Sequence, residues 1–87
     1  MEEEKLFREI EEQHGLTEQA MEAAQPDSAT RNEYHRQVDQ YRSMRQSLLQ
    51  MYDLSGKEET RQALCRQIRE LEQDWLAFEQ YCQRVWS

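Results

Sequence analysis

From Ala63 to Trp86 the apolar side chains recur at alternating spacings of four and three: Leu64, Ile68, Leu71, Trp75, Phe78, Cys82 and Val85. That is one stripe on an α-helix, sustained over about three heptads. The positions between are mostly Arg, Glu, Gln and Asp, so the segment reads as one long amphipathic helix. A second stripe runs through Tyr34, Val38, Tyr41, Met44 or Arg45, Leu48 and Met51 or Tyr52, with Leu49 widening its end. Near the start, Leu6, Phe7 and Ile10 form an apolar patch, and Phe7, Ile10, His14, Thr17, Met21 and Ala24 keep the same rhythm with fewer apolar members. Gly15 interrupts this first segment, and an interior glycine costs a helix about 1 kcal/mol. Residues 2–24 therefore form either one helix with a weak point at Gly15 or two short ones, the second capped by Thr17.

Two turns separate the stripes. Pro26 disfavours helical backbone at Gln25, and Asp27 or Ser28 can cap the next helix; this second helix is expected over about residues 28–53. The stretch Leu54–Glu58 is the other turn, where Ser55 with Glu58 three residues on matches a capping box. The third helix is expected over about residues 57–86. Turns this short make consecutive helices antiparallel neighbours. The fold class is all-α over a single domain, residues 1–87: an antiparallel helical hairpin or three-helix bundle with a heptad-spaced core, closed within one chain or between two as a dimer. The second and third helices should make its strongest part, with the Leu64–Val85 stripe mainly an internal core. The first helix either closes the bundle or stays available to something else.

Composition sharpens this picture. Few glycines and prolines, abundant Glu, Gln, Arg and Leu, and scarce Val, Ile and Thr favour helix over strand. At 87 residues the chain is near the lower end of what buries its own core, hiding roughly 60% of its unfolded surface. The net charge of −7 is uneven: residues 1–25 carry eight acids against two bases, leaving ten against nine over residues 26–87. An acidic chain has no phosphate-neutralising surplus, so direct nucleic-acid binding is not expected. No segment approaches the roughly 20 apolar residues of a membrane span. The stretch Met1–Lys5 lacks the basic and apolar regions of a secretion signal, so a cytoplasmic location is expected. Cys65 and Cys82, seventeen residues apart on one expected helix, would stand roughly 25 Å apart, too far to pair. Reduced thiols fit that setting.

Candidate chemistry is thin. Glu11 and His14 form a Glu-x-x-His step of the kind that holds iron in helical bundles. Such sites need two steps and two further glutamates, and no Glu stands three residues before His35. No metal and no cofactor are expected. Neither cysteine has zinc-ligand spacing or a nucleophile signature around it, and paired acids such as Glu11/Glu12 and Glu58/Glu59 read as solvated helix faces. A non-enzymatic protein is the reading. Arg31, His35, Arg42 and Arg45 lie along one side of the second helix, diluted by Glu33 and Asp39, and are expected to pair with the acidic first helix.

The C-terminal segment is the strongest functional lead. Trp75, Leu76, Phe78, Tyr81, Val85 and Trp86 concentrate more apolar area than one stripe requires, and Leu76 and Trp86 lie off the main line. Trp and Tyr anchor interfaces; these side chains either bind a partner or cover the bundle end and the first helix. The expected function is a small acidic protein–protein interaction module acting through helical faces. Its partner is another protein, with a basic surface, or a second copy of the chain. A second reading is an inhibitor that occludes a basic nucleic-acid-binding surface through Glu2, Glu3, Glu4, Glu9 and Glu12, as small acidic phage and mobile-element proteins do, some anti-CRISPR proteins among them. A third comes from general form: over residues 28–87, in size, charge and hairpin layout, the chain resembles the short acidic helical-hairpin chaperones of type III secretion systems. That resemblance implies an assembly chaperone covering a partner's apolar helix, and it assigns no individual residues.

Overall fold

The computed structural model describes the backbone of residues 2–87 and the side chains of residues 5–87. Three helices account for nearly all of it: α1 (Glu2–Ala24), α2 (Ser28–Leu54) and α3 (Glu58–Val85). The described residues contain no strand. The chain is an all-α three-helix bundle, elongated and flattened, with extents of 47 × 23 × 14 Å. α1 runs unbroken through Gly15, so the weak point is tolerated within one helix.

The first turn forms as its residues dictate. Gln25, just past α1, takes a left-handed backbone with φ of 51°, and its N–H reaches the Met21 carbonyl at 2.9 Å. That conformation strains a residue with a Cβ; Pro26 comes next and prevents the helix from continuing. Asp27 caps α2 by accepting the Thr30 N–H at 2.8 Å, which holds its carboxyl below the usual carboxylate range.

The second turn differs from the expected capping box. Ser55 closes α2 instead: its N–H bonds to the Met51 and Tyr52 carbonyls, and its carbonyl accepts from Arg61 Nε at 2.9 Å. α3 then starts one residue after an N-cap at Lys57 with no side-chain cap bond. Glu58 is thereby the first helical residue rather than the third, and cannot complete the box with Ser55. Glu58 and Glu59 still favour the helix start through its dipole.

α3 is the central helix. α2 runs antiparallel to it, as Tyr34 meets Glu79 while Arg45 meets Glu72. α1 runs antiparallel to α2, with Glu11 at Arg42 and Glu18 at His35, and hence parallel to α3, with His14 and Thr17 at the level of Glu79. The backbone of α1 approaches α3 more closely than that of α2 does, while α2 reaches α3 through the larger core side chains Tyr34, Val38 and Tyr41. The reason is a short side chain at the crossing: Thr17 is fully buried, and its hydroxyl reaches both the Gln13 carbonyl at 2.9 Å and the Glu79 carbonyl at 3.3 Å. α1 and α2 meet through long side chains: of the four α2 residues expected to pair with α1, Arg42 meets Glu11 at 3.4 Å and His35 meets Glu18 at 3.7 Å, whereas Arg45 turns to the buried Glu72 of α3 and Arg31 donates to the Pro26 carbonyl.

The core gathers Ile10, Met21, Tyr34, Val38, Tyr41, Trp75 and Cys82, with Leu6, Leu71, Leu76, Phe78 and Trp86 packed against it. The Trp75 ring stacks on Tyr41 with centroids 4.9 Å apart and planes 7° from parallel. Leu64 and Ile68 extend the buried stripe toward the second turn.

Gly15 is helical and exposed, and a Cβ added there meets nothing within 4 Å. Gly15→Ala is expected to stabilise the bundle by about 1 kcal/mol through helix propensity, read as a higher urea midpoint at unchanged slope.

Candidate functional site

Two features bring chemistry-bearing side chains together: a buried polar column, and an open apolar groove. The column begins from heptad geometry. Residues seven apart return to one face of a helix, and Cys65, Glu72, Glu79 and Trp86 form such a column beside the apolar stripe of α3. Because α3 is flanked by two helices, its buried face is wider than one stripe, and this column turns inward toward α1. Glu72 and Glu79 are consequently both fully buried.

A buried carboxylate must be engaged by donors. Arg45 of α2 donates Nε to Glu72 Oε1 at 2.7 Å, and its guanidinium lies 3.8 Å over the centre of the Phe7 ring. Glu72 Oε2 and the Tyr41 hydroxyl are buried without a hydrogen-bond partner among the described residues. One heptad along, the Tyr34 hydroxyl lies 2.8 Å from each carboxylate oxygen of Glu79 and donates to it. With its single hydrogen committed there, the same hydroxyl accepts from His14 Nδ1–H at 2.8 Å. His14 Nδ1 also lies 3.3 Å from Glu79, and Nε2 faces Glu18 at 3.2 Å. Burial, then the bond to Glu79, pushes the Tyr34 phenol above its ordinary range; burial and the Glu72 charge do the same to Tyr41. Burial and the nearby Glu79 push the Cys82 thiol up to about 11.

The Glu11–His14 step does not assemble a metal centre. His14 is held between Tyr34, Glu79 and Glu18, and among the described residues no group of three or more His, Cys, Asp or Glu side chains is placed to hold a metal ion. Both cysteines are unpaired, Cys82 buried and Cys65 half-buried.

The groove lies on the other flank of the α2/α3 pair. Glu79 and Gln83 meet α1; Phe78, Tyr81 and Val85 sit about a quarter-turn or more away around α3, beside a cavity of 570 Å³ that Tyr34 and Trp86 also line. Further along the same two helices, Met44, Leu48 and Leu71 line a second cavity of 510 Å³. Among the described residues six large apolar side chains are exposed, and three of them (Met44, Tyr81 and Val85) line these two cavities.

The structure thus divides the six aromatic and aliphatic candidates of the C-terminal segment. Trp75, 8% exposed, is core, so an accessible contact through it is excluded by its stack on Tyr41. Leu76, Phe78 and Trp86 are half-buried and pack on the core, Trp86 with its ring edge-on to Tyr34. Tyr81 and Val85 are 56% and 57% exposed. Of the acidic candidates, Glu9 and Glu12 are exposed, while Glu2, Glu3 and Glu4 lie outside the described side chains. Sequence reasoning missed Glu72, Glu79 and their partners; the signal was the seven-residue spacing of two acids next to an apolar stripe. Compared with known proteins, the chain matches no family model, no curated protein and no solved structure.

The column makes a sharp mutational expectation. Arg45→Met leaves the fully buried Glu72 without its donor and should cost about 3–5 kcal/mol, whereas Arg45→Met with Glu72→Leu should recover most of that loss; urea denaturation of both variants measures it. Thiol labelling near neutral pH should modify Cys65 well ahead of Cys82, since the Cys82 thiolate forms only near pH 11. Mass spectrometry of Cys65→Ser, with labelling then nearly abolished, checks it.

Proposed function

We propose that the chain is a non-enzymatic protein–protein interaction module that engages its partner through the outer flank of α2 and α3. The single observation that carries this reading is that the exposed Met44, Tyr81 and Val85 line two cavities between the same two helices. Apolar side chains clustered on the surface of a small domain mark binding sites. The half-buried Phe78 and Trp86 supply a floor on which a partner's side chains gain contact area at little entropic cost. The buried carboxylates speak for a structural role, since Arg45, Tyr34 and His14 engage them inside the bundle. A cytoplasmic location is part of the proposal, supported by the unpaired state of Cys65 and Cys82.

The exposure of Glu9 and Glu12 favours a second reading, occlusion of a basic surface by the acidic face of α1. The two readings use different faces, so one experiment separates them. A photo-crosslinking amino acid is placed at Tyr81 or at Glu12, and the protein is irradiated in cells that naturally produce it. Capture of a discrete partner from Tyr81 and not from Glu12 is the expected result. Capture from Glu12 alone transfers the function to α1, and capture from neither removes the module reading.

A further inference from the structure

We infer that the α2/α3 groove receives a basic amphipathic helix of about five turns from a partner protein. The inference rests on the interaction-module reading and adds to it the shape and charge of the occupant.

Three observations converge. First, the two cavities follow one another along the same seam between α2 and α3. On α3 their linings run from Gln67 to Val85, and on α2 from Ala29 to Leu48 in the opposite direction. The eighteen residue steps from Gln67 to Val85, at about 1.5 Å each, make a channel roughly 27 Å long, the length of a helix of about 18 residues. Second, α1 already covers the other flank of the same helix pair, so the groove is the place a fourth helix takes in a bundle. Its walls alternate apolar and polar residues as a helix-binding seam does: Leu71, Phe78 and Val85 at steps of seven on α3, with Met44 and Leu48 facing them from α2.

Third, the lining charge has one sign. Glu33, Glu70 and Asp74 contribute carboxylates, and among the described residues no Lys or Arg side chain lines either cavity. Arg36 and Gln37 already bind the Glu33 carboxylate, so the charge that meets an occupant is chiefly that of Glu70 and Asp74. An occupant with Lys or Arg flanking its apolar stripe meets these acids. The exposed Tyr81 ring and the Trp86 ring are additionally open to cation–π contact with such residues. A second copy of this chain is the wrong partner by the same reasoning: it would bring its own Glu33, Glu70 and Asp74 against these, on a molecule of net charge −7.

The test is a display selection with the full chain as bait and a library of peptides about 18 residues long, randomised at every position. The expected winners carry a heptad-spaced apolar stripe and an excess of Lys and Arg. They should bind Val85→Asp and the pair Glu70→Lys/Asp74→Lys at least about tenfold more weakly, and Glu9→Lys/Glu12→Lys with unchanged affinity. Val85, Glu70 and Asp74 are exposed, and circular dichroism verifies that each variant keeps its helix content. Winners that are neutral or acidic, or that bind Val85→Asp as tightly as the parent, overturn the inference. So does a groove-dependent homodimer, seen by light scattering and dissolved by Val85→Asp. If no helix is enriched while Tyr81 still crosslinks a partner in cells, the helical occupant falls and the module reading stands; if both experiments are empty, both fall.

Discussion

Everything in this bundle depends on hiding two carboxylates inside the most central of its helices. α3 has a neighbour on either side, and burying both contacts requires a face wider than a single apolar stripe. Glu72 and Glu79 fall within that wider face. Each needs a donor at a fixed height along the axis, and α2 supplies them from Arg45 and Tyr34. Sliding α2 by one turn would leave at least one carboxylate unpaired in the interior, at a cost comparable to the whole stability of a domain this small. Apolar stripes alone tolerate such slips. The ionic and phenolic contacts therefore select one register among several that hydrophobic burial would accept.

The same contacts explain the asymmetry of the molecule. On the α1 side, closeness is achieved by a buried threonine and by polar side chains bonding across helices, with Gln83 reaching Gln13 and Thr17. On the far side the walls mix aromatic and aliphatic side chains (Phe78, Tyr81, Val85, Met44, Leu48, Leu71) with polar ones that face outward, such as Ser43, Gln67, Glu70 and Asp74. A surface of the first kind is satisfied by the chain itself. A surface of the second kind gains from being covered, which is why we propose the groove, and not the acidic first helix, as the interface.

Much of the architecture was legible from local chemistry. Helix limits followed from Pro26, Asp27 and the Leu54–Glu58 turn to within a residue or so, because turn and cap residues act over short range. The pairing of Arg42 and His35 with α1 followed from charge placement. What escaped were decisions made by tertiary geometry. The Ser55–Glu58 pair has the spacing of a capping box, but its backbone was taken by the end of α2. Glu72 and Glu79, two of the polar positions between the apolar ones of α3, are fully buried, because the width of a buried face depends on how many helices press on it. Of the six C-terminal candidates, two side chains stand exposed at the groove while Trp75 belongs to the interior; spacing on one helix cannot separate these fates, since both kinds lie within the same arc.

The placement of the two tryptophans has an optical consequence. Trp75 is sandwiched against Tyr41 and Phe78 in the interior, while Trp86 stands edge-on to Tyr34 at the mouth of the groove. Their indole emission therefore reports on separate events: that of Trp75 changes when the core comes apart, and that of Trp86 when something settles beside it. With one of them replaced by phenylalanine, the remaining indole is a built-in gauge, and folding and docking can be followed independently without attaching any dye.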